Sequence, residues 1–523
     1  MGRYINPGNA AFKQNINSEI YIDMTGLISF CNKQINTNQR FVCVSRPRRF
    51  GKSMTANMLT AYYGRGYDSK SLFDGFEIAG RDSYQANLNR YNTLYINMQN
   101  FVSSYKGVTN FLDKLNSFIA RDLIKEYPDI DYFDNTSLTD VMTDIFTQTG
   151  ISFVIIIDEW DCIFREYKED TKAQNMYLDF LRNWFKDRDY VGLCYMTGIL
   201  PIKKYGTQSA LNMFSEFSME NPGELAKYIG FSTDQVKNLC DRYCMDFDEC
   251  RTWYDGYSFP GANEIYNPKS VVEAMMRKRF GTYWNQTESF DALRLYIDMN
   301  YEGLRDAVIS MMAGNKVKID TGSFSNDMTT FHSADDIMTL LIHLGYLAYD
   351  IDTSEVYIPN NEIMQVFGTA TSVSKWDEVY IAVKQSDDLL KATWRMDEEA
   401  VAAGVQEAHL ETSHLQYNDE NALSYTISLA YFSAREYYTI VRELPTGEGF
   451  ADMVFIPRKN YRDKPAIIIE LKWNKDAETA IAQIRKKQYV KSLSDYKGNI
   501  LLVGINYDKV SKEHTCKIEK VAM

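Results

Sequence analysis

Apolar positions along the chain fall into two kinds of run. The short continuous ones are "RFVCVS" (40–45), "TLYINMQNF" (93–101), "ISFVIIIDEWD" (151–161) and "YVGLCYMTGIL" (190–200). Runs of that length without polar alternation predict strands buried on both faces. Between them apolar residues recur at helical spacing, as in "VTNFLDKLNSFIARDLIKEY" (108–127). Strands alternating with helices predict an α/β domain over residues 15–220, with a parallel sheet covered on both sides. From 221 to 404 the pattern turns helical, for example in "IYNPKSVVEAMMRKRF" (265–280) and "SADDIMTLLIHLGYLAYD" (333–350). That stretch predicts a mainly helical middle domain, with room for a winged-helix-like unit. Residues 405–523 change rhythm again: a helix over 418–437, strands over 450–457 and 465–473, a helix over 476–493 and a strand over 499–507. This predicts a compact mixed α-β-β-α-β domain.

Composition narrows the classes. A chain of 523 residues exceeds one ordinary core and implies about two to four domains. It contains no apolar run of about 18 residues, so no membrane span is expected. The start, "MGRYINPGNAAFKQ", has no apolar core behind a basic segment, so no secretory leader and a cytoplasmic location are expected. Eight scattered cysteines fit reduced thiols rather than a disulfide framework. Cys240, Cys244 and Cys250 form the only cluster; with no His nearby as a fourth ligand, they read as buried helix cysteines rather than a zinc site. A net charge of −13 excludes a protein that coats nucleic acid indiscriminately, so any contact with it is local or metal-assisted.

The segment "FVCVSRPRRFGKSMTANML" (41–59) carries the first candidate chemistry. A phosphate-binding loop needs backbone N–H groups at a helix N-terminus, a lysine for the terminal phosphates and a hydroxyl for Mg²⁺. Gly51, Lys52 and Ser53 supply the end of that pattern, between a strand and a helix. Pro47, Arg48 and Arg49 are expected to keep the loop extended and electropositive. The first glycine of the pattern is replaced by Arg46. About 105 residues on, an apolar strand ends in Asp158 and Glu159, candidates for orienting Mg²⁺ and polarising water. Thr197, ending the fourth strand, is placed to sense a γ-phosphate or simply enters a turn. Tyr21, Asp23 and Thr25 either border a base pocket or cap a helix.

A second set lies in the tail. Phosphodiester cleavage needs carboxylates that hold Mg²⁺ and a lysine near the attacking water. "ADMVF" places Asp452 on a strand, and "IIIELKW" places Glu470 and Lys472 on one face of the next. A hairpin between the strands brings Asp452 beside Glu470. "AIAQIRKKQY" then puts Gln483 and Lys487 on one helical face. Glu470 ends an apolar run, where a carboxylate is costly to bury without a compensating cation. Arg485, Lys486 and Lys487 are candidates for phosphate contact or a solvated face.

"YIDMTGLI", "SRPRRFGKS", "IIIDEWD", "TGILPIKKYGTQSALNMFSEFSM" and "WYDGYSF…IYNPKSV" resemble the bacterial AAA-ATPase-like family, over nearly the whole chain. In that family Arg46 belongs to the usual form of the loop. The resemblance implies an AAA+/STAND-type P-loop sheet with an extra strand between the two phosphate-site strands, which "TLYINMQNF" fits. It implies ATP and Mg²⁺ as cofactors, with Arg48, Arg49, Gly51, Lys52, Ser53, Asp158 and Thr197 around the nucleotide and Glu159 as the catalytic residue that polarises water. The tail resembles the PD-(D/E)XK nuclease superfamily, with its restriction-endonuclease-like fold. Glu420 matches that superfamily's additional acid, and Tyr489 a tyrosine that follows the glutamine. This implies Asp452, Glu470 and Glu420 as metal ligands, Lys472 and Gln483 in catalysis, and DNA favoured over RNA as partner. An ATP-controlled nuclease is the reading that results. The alternative is a nucleotide-switched binding protein with an inactive nuclease fold, which entails homo-oligomerisation without cleavage.

Overall fold

The computed structural model describes the chain except residues 1, 203–210, 260, 285–288, 300, 313, 374–376, 412–419, 447–448, 459–460, 487–498 and 522–523. Two compact units result: Met1–Met245 with Asp255–Arg279 and Lys318–Val356, and Asp246–Tyr254 with Phe280–Val317 and Tyr357–Met523. Among the described residues no helix is long and apolar enough to cross a membrane.

The first unit is built on five strands: β1 (Phe41–Ser45), β2 (Asn92–Asn97), β3 (Phe153–Asp158), β4 (Val191–Gly198) and β5 (Ser215–Phe217). All pair in parallel. β1, β3 and β4 are buried at every residue, which is why they read as unbroken apolar runs. Helices α1 (Lys52–Tyr63), α2 (Val108–Glu126) and α3 (Thr171–Phe185) lie between them in sequence. α2 buries Phe111, Leu115, Ile119 and Leu123, one helical stripe as its spacing requires.

The spatial order is β5-β1-β4-β3-β2. This corrects one expectation. The strand inserted between the loop strand β1 and the acid strand β3 is β4, and "TLYINMQNF" supplies β2, outside β3. Sequence order placed β2 between β1 and β3, but β2 pairs with its successor β3, and the chain returns through α3 to fill the gap. The strand also stops short, at Asn97, whose side chain accepts the N–H of Asn100 (3.1 Å) and starts the helix Met98–Ser104. β5 escaped the pattern because "SEF" is short and largely exposed. The chain between the two large sheets is mainly helical, with a small antiparallel sheet of β6 (Phe231–Ser232), β7 (Tyr257–Phe259) and β8 (Ala262–Tyr266). None of the eight cysteines forms a disulfide; Cys240 and Cys250 are buried, but Cys244 is exposed, ending its helix at a φ of 55°.

The second unit holds the mixed sheet of β9 (Tyr438–Thr446), β10 (Gly449–Pro457), β11 (Ala466–Trp473), β12 (Ile500–Asp508) and β13 (Glu513–Val521), in that spatial order. Only β11 and β12 run parallel. β9 and β13 add to the expected pattern; as edge strands mixing charged and apolar residues, they carry no continuous signal. The expected helix over 418–437 is two, α5 (Glu420–Ala430) and the short Ala434–Tyr437. Ile467, Ile469 and Leu471 of β11 share a core with α5 and with α4 (Glu398–Glu411), while Ala466 and Ile468 pack with Ile481 and Ile484 of α6 (Ala477–Lys486) on the other face. Gly504 of β12 admits α6 closely: a Cβ there would stand 2.4 Å from the Ala477 carbonyl oxygen.

Two consequences are measurable. Gly504→Val forces α6 off the sheet, so it should destabilise this unit by about 1–3 kcal/mol in urea unfolding. His514 on β13 is buried beside Tyr507 and His409, with Nδ1 2.6 Å from Gln406 Oε1. Burial first, then the neighbouring His409, pushes its pKa down to about 3. The unfolded chain then binds a proton that the folded one refuses, between the ordinary imidazole pKa near 6.5 and about 3. Stability should therefore fall as pH drops through that window, by about 1.4 kcal/mol per pH unit for this group. A flatter urea–pH profile in His514→Gln checks it.

Candidate functional site

In the first unit, register brings the strand ends together. Asn97 is level with Asp158, Asp158 with Thr197, and Gly198 with Ser45, so four parallel strands end beside the loop. That is where ligands sit in open parallel sheets. The loop turns at Arg48–Arg49 rather than staying extended: Arg49 has a φ of 71° and Gly51 one of 93°. Left-handed residues are what curl successive N–H groups inward ahead of α1. Arg48 is exposed and Arg49 half-buried.

Lys52 is buried, and its Nζ donates to the carbonyl oxygens of Arg46 (2.9 Å) and Pro47 (2.8 Å). Burial holds its pKa below the ordinary lysine value, with Glu159, Asp161 and Asp158 acting against the shift. Ser53 Oγ donates to Asp158 Oδ2 at 2.7 Å, which joins the hydroxyl and the carboxylate required of one cation site. Asn97 Nδ2 donates to the same oxygen at 3.3 Å. Burial raises the Asp158 pKa, and the Ser53 bond offsets part of that rise. Thr197 is fully buried, and its hydroxyl has no hydrogen-bond partner among the described residues.

Glu159 takes a left-handed conformation, φ 55°, and its carboxylate is ion-paired with Arg165 on the short helix Cys162–Glu166. Arg165 also approaches Asp161 (3.5 Å), which is fully buried. Asp161 Oδ2 accepts the N–H groups of Ile199 (3.0 Å) and Leu200 (2.9 Å), tying the acid turn to the end of β4. Arg165, Asp161 and Asn97 were missed in the sequence. Asp161 and Arg165 stand four apart just after the acid pair, a helical ion-pair spacing that was legible; Asn97 becomes visible only through strand register. Asp23 accepts the N–H groups of Thr25 (2.8 Å) and Glu77 (2.7 Å), Thr25 accepts that of Ile78 (3.1 Å), and Tyr21 packs on Phe12 and Phe76.

In the second unit, β10 and β11 pair antiparallel with Met453 opposite Ile469, so Asp452 faces Glu470 one step further. Asp452 Oδ2 accepts the N–H of Leu471 at 2.7 Å. Glu470 and Lys472 are both buried, at 1% and 5% exposure, and Lys472 Nζ lies 3.0 Å from Glu470 Oε1. Gln483 of α6 donates its amide to the same oxygen. The face that α6 covers thus gathers Asp452, Glu470, Lys472 and Gln483. Glu420 opens α5, whose core residues meet the opposite face; its side chain, Lys487 and Tyr489 lie outside the described residues. Arg485 Nε bonds Glu519 at 3.0 Å, and Lys486 is exposed. Among the described residues no three His, Cys, Asp or Glu side chains form a metal cage. Mg²⁺ commonly takes only one or two protein carboxylates, completing its shell with water and phosphate, and both acid sets suit that chemistry.

The ion pair around Asp161 generates a test. Arg165→Met leaves a fully buried carboxylate without its cation and should cost about 3–5 kcal/mol in chemical denaturation. Adding Asp161→Asn, which keeps an acceptor for Ile199 and Leu200, should recover most of that loss.

A family model described as a predicted AAA-ATPase matches residues 8–207, and the model of the PD-(D/E)XK nuclease superfamily matches residues 419–517. An uncharacterized protein in the vnfD 5′ region of Azotobacter chroococcum mcd 1 is 24% identical over 278 residues, 51% of this chain. The match spans 50% of that relative's length. Among solved structures, the Walker-type ATPase PABY2304 of Pyrococcus abyssi aligns with 66% of this chain and 94% of its own, at 12% identity and a TM-score of 0.35. The ORC2 protein of Aeropyrum pernix aligns with 69% and 96%, at 11% identity and a TM-score of 0.30. Overlap that loose says nothing of ligand or partner. The chain thus carries a predicted AAA-ATPase domain over residues 8–207 and a PD-(D/E)XK nuclease superfamily domain over residues 419–517.

Proposed function

We propose that this protein binds and hydrolyses ATP at the 46–53 loop, and that the nucleotide state governs a Mg²⁺-dependent phosphodiesterase site in the tail that cuts DNA. The observation that carries the reading is the convergence on Glu470: a buried carboxylate with Lys472 and Gln483 on one oxygen and Asp452 opposite across the hairpin. A purely structural acid at the end of an apolar strand gains nothing from a second carboxylate beside it; a cation site does. Mg²⁺, when bound, neutralises phosphate oxygens and favours ionisation of water.

In this scheme Lys52 leaves the Arg46 and Pro47 carbonyls to meet the nucleotide phosphates. Ser53 and Asp158 hold the cation at that site, Thr197 donates its hydroxyl to the terminal phosphate, and Glu159 orients water. Arg48 and Arg49 add positive charge at the mouth of the loop. In the tail, Asp452 and Glu470 hold the cation. Lys472 stabilises the charge that develops on the phosphate, and Gln483 fixes the Glu470 carboxylate.

Two measurements test this. Lys52→Ala should lower ATP turnover by about 100-fold or more, as loss of a principal charge-stabilising group does. Purified protein with Mg²⁺ and ATP should nick or linearise plasmid DNA, and Glu470→Ala should abolish it. Intact supercoiled, linear and single-stranded DNA in both proteins would remove the nuclease half of the reading.

A further inference from the structure

Arg46 stands at the first position of the loop, where the common pattern has glycine. Its side chain is sealed, at 0% exposure. Among the described residues its side-chain hydrogen bonds all come from Nη1, to the carbonyl oxygens of Ser45 (2.8 Å), Phe217 (2.9 Å) and Ser218 (2.9 Å). The Phe259 ring lies 5.6 Å from the guanidinium carbon. Nε and Nη2 have no hydrogen-bond partner among the described residues. Burial pulls the pKa down to about 10, with Tyr195 acting against the shift, so the group is charged at neutral pH, and among the described residues no carboxylate pairs with it.

The three bonds explain where the side chain lies but not why it is an arginine. Its task on β5 needs donors from a single nitrogen, whereas a guanidinium brings five N–H groups and a fixed charge. The acids of this site are engaged elsewhere: Glu159 and Asp161 with Arg165, and Asp158 with Ser53 and Asn97. A sealed cation without a counter-ion is unfavourable by itself and strongly attracts any anion held nearby across low-dielectric protein. The Arg46 carbonyl accepts from Lys52 Nζ, so the residue that carries this cation borders the loop lysine, and its guanidinium is held on the β5 side of the loop.

We propose that Arg46 is a built-in counter-charge for the bound polyphosphate, acting through space from the β5 side of the loop rather than by contact. It is a positioning residue that favours ligands according to their charge. The proposal rests on the nucleotide reading of the loop and adds a grading: triphosphate over diphosphate over monophosphate.

Calorimetric titration of the full chain with ATP, ADP and AMP in Mg²⁺ tests it. Arg46→Met should weaken ATP by about tenfold or more, ADP less and AMP least, because a lost charge matters in proportion to ligand charge. Arg46→Lys, which keeps the charge but not the fork of donors, should restore most of the ATP-over-AMP preference. Equal weakening of all three by Arg46→Met, or no weakening, overturns the proposal. If Arg46→Met does not fold, Arg46→Lys decides alone: a lost ATP-over-AMP preference refutes it and a retained one supports it. Wild-type protein that binds none of the three removes the nucleotide reading and the proposal together, whereas binding lost only in Lys52→Ala keeps the first and leaves the second to the Arg46 variants.

Discussion

A carboxylate buried at the end of an apolar strand is the constraint around which both sites are built. Asp158 closes "FVIII" and Glu470 closes "AIII", and each is at most 1% exposed. Left alone, such a group costs several kcal/mol and would take up a proton instead. The two units answer differently. Asp158 receives a hydroxyl and an amide, from Ser53 and Asn97, with the Lys52 ammonium nearby. Glu470 receives an ammonium directly, from Lys472 two residues along the same strand, and an amide from Gln483. Hydroxyl and amide partners leave the charge of Asp158 to be matched by something else; the Lys472 ammonium matches one of the two carboxylates, Asp452 and Glu470, that meet across the hairpin.

Topology makes these answers available. In both units a parallel strand pair is joined through a helix, so strand carboxyl ends and following helices collect on one side. In the first unit a helix that follows the loop strand contributes its N-terminus: α1 begins at Lys52, directly after the loop. In the second, α6 lies along the sheet, and the bare Cα of Gly504, level with Glu470, lets it come close enough for Gln483 to reach the carboxylate. A helix end is the better device for a phosphate, and a helix flank the better one for fixing a side chain.

What was legible in the sequence follows from burial. β1, β3, β4, β11 and β12 are covered on both faces, so they appear as apolar runs with little competition from helix. β5, β9 and β13 lie at sheet edges, and their mixed side chains conceal them. The inserted strand was misassigned for a different reason: local pattern identifies a strand but does not rank its neighbours, and β2 and β4 look alike in apolar content. Asp158, Glu470 and Lys472 were readable because charge at the end of an apolar run is itself a signal. Asn97 carries no such contrast, since a polar residue ending a strand is ordinary; its bond to Asp158 arises from cross-strand register alone.

The position of Arg46 shows how a familiar pattern can be met by other means. Glycine recurs at the start of such loops where the backbone must take a left-handed turn or approach a ligand closely. Here that turn is displaced: Arg49 and Gly51 have positive φ, and Arg46 does not. With the conformational demand moved three residues along, the first position is free to carry a side chain. Burial of that side chain against β5 then links the loop to the sheet edge through the carbonyls of Phe217 and Ser218. The loop is thus fixed at both ends, by the Arg46 side chain at the strand and by the first turn of α1 at the helix. A loop fixed in that way has less freedom to lose when an anion settles into it, and preorganisation of this kind raises affinity without any added contact.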